Sequence, residues 1–235
     1  MASLGTIDAG LPRKHLVEEF QQRVIAWYRR EGREFYWRTH VLNCWQWLVL
    51  EMLLKRTRAK TVEKAFPTLV AKYSEPKVVV RTSDLELEND LRYLGLYRQR
   101  RKAFKVVAER ILKEHGGQVP LDPIALSSIP YVGLYISNAV LCFCNNQRRP
   151  IVDSNVARIL TRDHGLDMPK DARERWIWEL AEEMLPRECW REYNYGLLDI
   201  GAIICRKKDP ICPSCCLKDI CAYHVNSLNN KPLST

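Results

Sequence analysis

The chain has 235 residues, of which 46% are apolar, enough for one or two compact domains with a hydrophobic core. Its formal net charge is +9 and its pI is near 9.1, which favours a polyanionic partner. The longest apolar stretch, Trp45 to Leu54, contains Gln46 and Glu51 and is shorter than the ~20 residues that a bilayer crossing requires, so we expect no membrane-spanning segment.

Apolar residues recur at intervals of three and four along nearly the whole chain, as at Leu16, Phe20 and Val24. No segment shows the regular alternation of a half-buried strand, so the sequence predicts an all-α protein. Pro67 lies within one helical segment and is expected to kink or shorten the helix that follows Thr61.

Basic residues are clustered in four runs, at 55–60, 98–105, 148–149 and 206–208. A single run is usually a solvated helix face. Four runs, three of them beside candidate functional motifs, favour phosphate binding.

Residues 126–140 (LSSIPYVGLYISNAV) predict a helix-hairpin-helix: a short helix, a tight turn, and an apolar helix from near Leu134. The N–H groups at the start of the second helix would face outward and could hold a phosphate whatever the base sequence. The candidate DNA contacts in the turn are Pro130, Tyr131, Val132 and Gly133. Taken alone, such a turn is also typical of an ordinary connection between helices.

Cys205, Cys212, Cys215 and Cys221 are separated by six, two and five residues, a spacing that favours the ligands of a [4Fe–4S] cluster. Structural zinc is the alternative, but it usually shows two CxxC-like pairs separated by a longer loop. Disulfides are disfavoured because the chain has nine cysteines, an odd number, and no apolar export signal in Met1 to His15. The other five cysteines have no ligand spacing; they are Cys44, Cys142, Cys144, Cys189 and Cys216.

Five ordered motifs resemble the helix-hairpin-helix DNA glycosylases of the endonuclease III and MutY group, over nearly the whole chain. The motifs are Tyr36-Trp37-Arg38, the helix Trp47 to Thr57, the hairpin, the segment Ile151 to Arg158 (IVDSNVAR), and Asn194 to Cys205 leading into the cysteines.

The resemblance implies two helical lobes with a DNA cleft between them. A helical barrel would span residues 38–147 and include the hairpin. Residues 1–37 and 148–225 would form the iron–sulfur lobe, and 226–235 a flexible tail. The cluster would be structural, and it would shape a loop whose Arg206, Lys207 and Lys208 contact phosphates. An ordinary surface loop is the alternative for these three residues.

Breaking an N-glycosidic bond puts positive charge on the sugar and negative charge on the departing base. Asp153 corresponds to the family's catalytic aspartate, and would stabilise the cationic sugar and orient the attacking water. It could also be a helix N-cap and nothing more. Tyr135 stands where the bifunctional members of the family carry a lysine that forms a Schiff base. Tyrosine forms none, so we expect a monofunctional enzyme similar to the archaeal-type thymine/uracil mismatch glycosylases. An aromatic residue that merely packs the helix is the alternative.

Glu51 lies in a strongly apolar helix, either on its wet face or buried. In the resembling enzymes this glutamate contacts the flipped base, which favours burial. Lys55 and Arg56 occupy positions where relatives carry glutamines that fill the gap in the duplex or contact the partner base, and either could bind guanine.

The chain departs from the family at two points. Tyr131 replaces the first glycine of the hairpin, so the turn must suit a tyrosine or carry strain. Only fourteen residues follow Cys221, so we expect no counterpart of the C-terminal domain with which MutY-type enzymes recognise 8-oxoguanine.

The resulting expectation is a monomeric base-excision-repair glycosylase acting on double-stranded DNA with a mismatched or damaged base, most simply thymine or uracil opposite guanine. We expect it in a prokaryotic cytoplasm, with the nucleoid. A MutY-type adenine glycosylase is favoured by Glu51 but opposed by Tyr135. A non-catalytic iron–sulfur DNA-binding protein is the remaining alternative, and it would be expected to lack Asp153 or Glu51, both of which are present.

Overall fold

A computed structural model describes residues 14–229 of the protein. Residues 1–13, within the segment inspected for an export signal, and 230–235, the end of the predicted tail, lie outside this description. The helices in chain order are α1 (Lys14–Glu31), α2 (Tyr36–Thr39), α3 (Cys44–Leu54), α4 (Ala59–Lys72), α5 (Pro76–Arg81), α6 (Asp84–Leu91), α7 (Tyr97–His115), α8 (Pro123–Ser128), α9 (Leu134–Asn145), α10 (Ser154–His164), α11 (Arg175–Glu183), α12 (Trp190–Ile203) and α13 (Ala222–Asn229). Two short 3₁₀ turns, Arg92–Leu94 and Cys212–Ser214, complete the elements.

Within the described residues there is no β-strand, so the predicted all-α class is confirmed. None of the described helices combines the length and the apolar character that a membrane span needs. The shortening expected at Pro67 is wrong, because α4 continues through this residue to Lys72. Proline lacks only its own N–H, and the rest of the final turns can still bond.

The chain folds into two compact units, Glu34–Ile151 (unit 2) and Met1–Arg33 with Val152–Thr235 (unit 1). In unit 2, α3 packs against α4, α7 and α9. Its sequence is apolar on all sides, and eight of its eleven residues are buried, as expected of a helix surrounded by other helices. Its N-terminus is fixed by a capping box in which the Asn43 side chain accepts from the Gln46 N–H and the Gln46 side chain accepts from the Asn43 N–H.

In unit 1, α12 packs against α1 and α10 at glycines that permit close approach. A Cβ atom at Gly196 would lie 2.7 Å from Val24 Cγ1, and one at Gly201 would lie 2.6 Å from Asn155 Cβ. These distances are too short for any side chain, so α1 and α10 contact the backbone of α12 itself. The Asn194 to Cys205 motif is therefore a packing motif as well as a lead into the cysteines.

A disulfide joins Cys44, the first residue of α3, to Cys144 near the end of α9, with 5.1 Å between their Cα atoms. Neither cysteine had a predicted role, and the expectation that disulfides are disfavoured is wrong for this pair, because the packing of α3 against α9 brings the two residues together. The bond closes a loop of 100 residues within unit 2, so it should restrict the unfolded chain strongly.

Replacing Cys144 with serine should lower the free energy of unfolding by about 2–4 kcal/mol, as expected for loss of a long-loop disulfide. Urea unfolding with and without reductant measures this. Cys189→Ser, which alters an exposed free cysteine, is the control and should change little. Thiol titration of the unreduced, denatured protein should find seven of the nine cysteines reactive, and finding all nine would contradict the disulfide.

Candidate functional site

The hairpin turn of unit 2 connects α8 to α9 and places its left-handed residue on Tyr131. The φ angle of Tyr131 is +70° and that of Gly133 is −87°. The absence of a glycine at this position predicted backbone strain in the turn, and Tyr131 has it. Its left-handed conformation costs roughly 1–2 kcal/mol. The Val132 N–H donates to the Ile129 carbonyl at 3.0 Å, and the Val132 side chain is buried, which anchors the turn.

The start of α9 is open to a ligand in the way that the hairpin motif predicts. Gly133 is the N-cap and provides no side-chain acceptor. The first bond of the helix runs from the Ser137 N–H to the Gly133 carbonyl, so the N–H groups before it lie outside the helical ladder. Such an end suits an anion.

Tyr135 and Glu51 lie on two helices that pack directly against each other, α9 and α3. Tyr135 is half-buried in the first turn of α9. Glu51 is 5% exposed, so of the two placements considered for it the buried one is correct. Trp45 and Trp47 are also buried, so both belong to the core of unit 2.

Lys55 and Arg56 are exposed in the turn that follows α3. Together with Leu96, Gln99 and Tyr131 they line a pocket of about 300 Å³. The structure thus brings the predicted contacts of the α3 turn and of the hairpin to one place.

Leu96 was missed by sequence reasoning. It is 44% exposed and has a φ of +50°, which is unusual for a branched apolar residue. Its sequence signal is an apolar residue that follows a glycine and lies two positions before the basic run at 98–105.

Three of the five basic residues in the run 98–105 are engaged within unit 2, whereas Arg98 and Lys102 are exposed. Arg101 forms ion pairs with Asp84 at 2.9 Å and Glu88 at 3.2 Å. Lys105 donates to backbone carbonyls at the end of α5, and Arg100 is buried. Most of the charge in this run therefore serves packing within unit 2.

Asp153 is the N-cap of α10 in unit 1. Its Oδ1 accepts from the Asn155 and Val156 N–H groups, both at 2.8 Å, and its Oδ2 accepts from Asn155 Nδ2 at 2.9 Å. The capping role considered for this residue is therefore present. The same bonds hold a half-buried carboxylate in one orientation, which a catalytic anion also requires.

Two arginines of α10 hold the beginning of the cysteine loop. Arg158 Nε donates to the Cys205 carbonyl at 2.8 Å, and its Nη2 donates to the Gly201 carbonyl at 2.9 Å. Arg162 Nη1 donates to the Arg206 carbonyl at 2.8 Å and lies 3.4 Å from Cys205 Sγ. The helix that Asp153 begins is thus joined to the first predicted ligand.

All four predicted ligand cysteines line a single cavity of unit 1 (Cys205, Cys212, Cys215 and Cys221). Cys216 lines a different cavity with Trp27 and Arg30, although Cys215 borders both. Four thiol donors around one cavity fit an iron–sulfur cluster, which is held by cysteine thiolates. Among the described residues, no three or more His, Cys, Asp or Glu side chains are placed to hold a single metal ion, so the fit to a cluster rests on the number and type of the donors around the cavity.

Two thiols of this cavity have raised pKa values, which favours their protonated form in the absence of metal. Burial, with a smaller effect of neighbouring Cys205 and Cys215, raises the pKa of Cys212. Burial also raises the pKa of Cys221 to about 11. Iron would therefore have to displace protons from the cysteines as it binds.

The three basic residues of the loop after Cys205 have different surroundings. Arg206 Nη2 and Nε donate to the Asp209 carbonyl at 2.7 and 3.1 Å, so this guanidinium shapes the loop. Lys207 and Lys208 are exposed, with their ammonium groups available to solvent.

Comparison with known proteins shows the family to which the chain belongs. A family model described as HhH-GPD superfamily base excision DNA repair protein matches residues 49–183. The chain belongs to this superfamily. Residues 49–183 include Glu51, the α3 turn, the hairpin and Asp153.

Two archaeal relatives match almost end to end. A thymine/uracil-DNA glycosylase of Methanothermobacter thermautotrophicus is 31% identical over 87% of this chain and 93% of its own length. A thymine-DNA glycosylase of Aeropyrum pernix is 33% identical over 91% of this chain and 97% of its own length. An adenine DNA glycosylase of Mycobacterium tuberculosis is 33% identical over 85% of this chain but only 66% of its own length.

Solved structures show the same fold. A thermostable thymine-DNA glycosylase superposes with a TM-score of 0.85 at 30% identity, covering 89% of this chain and 97% of that one. A trapped endonuclease III–DNA covalent intermediate gives a TM-score of 0.79 at 22% identity, covering 93% of this chain and all of that one. The second match supports the fold alone.

Proposed function

We propose that this protein is a monofunctional DNA glycosylase that hydrolyses the N-glycosidic bond of thymine or uracil opposite guanine. The observation that carries the proposal is Tyr135 in the first turn after the hairpin of an HhH-GPD chain. The thymine/uracil-DNA glycosylase and the thymine-DNA glycosylase among its relatives, at 31% and 33% identity, support the choice of base.

Asp153 supplies the negative charge that the reaction needs. As the bond to the base lengthens, the sugar gains positive charge, and a fixed carboxylate stabilises it more than a mobile one would. The three bonds that Asp153 accepts are local to the start of α10, so the carboxylate is oriented before substrate arrives. The same group directs the attacking water.

Tyr135 excludes the covalent, strand-cleaving reaction of the bifunctional enzymes. Without an amine the site forms no Schiff base, and the reaction ends with base release. No lysine occurs between Gly117 and Met168, so none is available nearby in the sequence to replace it. The product is an abasic site in an intact strand.

Glu51 is buried on α3 and offers a carboxyl group to the flipped base, while the exposed residues bind the duplex. The hairpin turn, Pro130 to Gly133, holds a phosphate. Lys55 and Arg56 contact the base left behind, and an Arg or Lys can donate to guanine O6 and N7. Lys207 and Lys208 meet phosphates from a loop that Arg206 stiffens.

We further propose that Cys205, Cys212, Cys215 and Cys221 hold a [4Fe–4S] cluster with a structural role. The cluster would cross-link the loop to the segment that directly follows α12, and it takes no part in bond cleavage. In this scheme residues 38–147 are the barrel domain, and residues 1–37 with 148–225 are the cluster domain. We place the enzyme in the cytoplasm with the chromosome, acting as a monomer.

Cys212→Ala should abolish the yellow-brown colour of the purified protein and reduce its solubility, because a lost ligand frees the loop. Absorption spectra and iron analysis measure this. Cys216→Ala is the matched control and should keep its colour, since Cys216 lines another cavity. Colourless wild-type protein with stoichiometric zinc would rule out the cluster.

Asp153→Asn should keep mismatch binding but slow base release by about 10³-fold or more, because the amide retains shape and loses charge. The assay uses duplexes with T, U, A or hypoxanthine in defined mispairs, followed by alkali to reveal abasic sites. Wild-type release of T and U opposite G is expected. Preferential release of adenine would favour the MutY-type alternative, and no release would favour a non-catalytic DNA-binding protein.

Tyr135→Lys should acquire strand cleavage without alkali and a borohydride-trapped adduct, because a desolvated amine facing the sugar can form a Schiff base. Tyr135→Phe is the control and should trap nothing. If wild-type protein itself traps and nicks DNA, the monofunctional assignment is wrong. If a folded lysine variant does neither, Tyr135 does not face the sugar.

A further inference from the structure

Arg100 is the buried member of the basic run at 98–105, in which Arg98 and Lys102 are exposed. It is 6% exposed, and burial lowers the pKa of its guanidinium. None of the acceptors recorded for it is a carboxylate. Burying a guanidinium without an opposite charge is costly, so its hydrogen bonds must do something specific.

These hydrogen bonds converge from two separate turns. Arg100 Nη1 donates to the Met52 carbonyl at 2.8 Å, and Nη2 donates to the Lys55 carbonyl at 3.1 Å and to Thr57 Oγ1. Nε donates to the Gly95 carbonyl at 3.0 Å. One planar guanidinium thus hydrogen-bonds to three backbone segments. They are the last turn of α3, the turn that follows α3 and the turn that precedes α7.

Thr57 adds a direct link between the same two turns. Its Oγ1 donates to the Leu94 carbonyl at 3.4 Å while it accepts from Arg100. The two turns are therefore connected twice, once through the guanidinium and once through the hydroxyl.

Each turn carries an exposed residue in a conformation that would not persist without support. The φ angles of Arg56 and Leu96 are +62° and +50°, in the left-handed region that costs a non-glycine residue roughly 1–2 kcal/mol. Such residues persist where the surroundings over-determine them. Arg56, Leu96 and Lys55 line the same pocket, so the two strained turns border one surface.

We propose that Arg100 is a positioning residue that locks the Lys55–Arg56 turn and the Leu96 turn into one preformed wedge. On the proposed function, on which this inference rests, the wedge enters the duplex at the mispair. Leu96 fills the space of the flipped base as an apolar residue inserted between base steps, and Lys55 and Arg56 contact the partner base. Arg100 itself touches no DNA.

The first test measures the turns directly and needs no substrate. Amide hydrogen exchange is compared in wild-type protein, Arg100→Met, Arg100→Lys and Thr57→Val, with Arg110→Met as a control that loses one charge on the same helix. Exchange at residues 54–57 and 94–97 should rise about tenfold in the Arg100 and Thr57 variants, with α9 unchanged. Lysine should not rescue, because a point donor cannot serve the separate acceptors. Unchanged exchange at both turns overturns the proposal.

The second test separates positioning from general damage. Base release is measured on uracil opposite guanine and on uracil opposite an abasic site, where no partner base has to be contacted and flipping is easier. Arg100→Met should slow release opposite guanine by about tenfold to a hundredfold and release opposite the abasic site by much less. Equal losses on both substrates would mean a merely structural role. If wild-type protein releases no base from either, the proposed function fails, and hydrogen exchange alone decides whether Arg100 fixes the turns.

Discussion

The proposed chemistry of unit 1 depends on one buried guanidinium, that of Arg158. It is 7% exposed and joins the Cys205 and Gly201 carbonyls to its own helix. Because α10 begins at Asp153, the same side chain that supports the cysteine loop also supports the helix presenting the carboxylate. The glycine at 201 makes this possible, since any side chain there would push α10 away from α12.

Features with local causes could be predicted from the sequence. The hairpin, the cap at Asp153 and the strained Tyr131 follow from residues within a few positions of one another. The quartet of cysteines is similar, because short spacing alone brings its members around one cavity. The family resemblance then added roles that no spacing contains, such as the interpretation of Tyr135.

Features with distant causes could not be predicted. Charge alone does not distinguish Arg100 from Arg101, and which of them is buried depends on the face that α7 turns toward α3. The Cys44–Cys144 bond joins residues 100 positions apart, with no local signal. The placement of Leu96 depends on a turn in which Gly95 has a positive φ and its carbonyl accepts from Arg100. In each case tertiary packing decides what sequence periodicity leaves open.

The helix α3 is fastened at both ends, by its capping box and the disulfide at Cys44, and by Arg100 at its C-terminus. A helix held in this way cannot slide or unwind when the protein meets its target. Glu51, which lies within α3, therefore keeps a fixed position in unit 2. If a flipped base reaches this carboxyl as proposed, the distortion that brings it there must be made in the DNA, so mispairs within sequences that bend and unstack easily should be processed fastest.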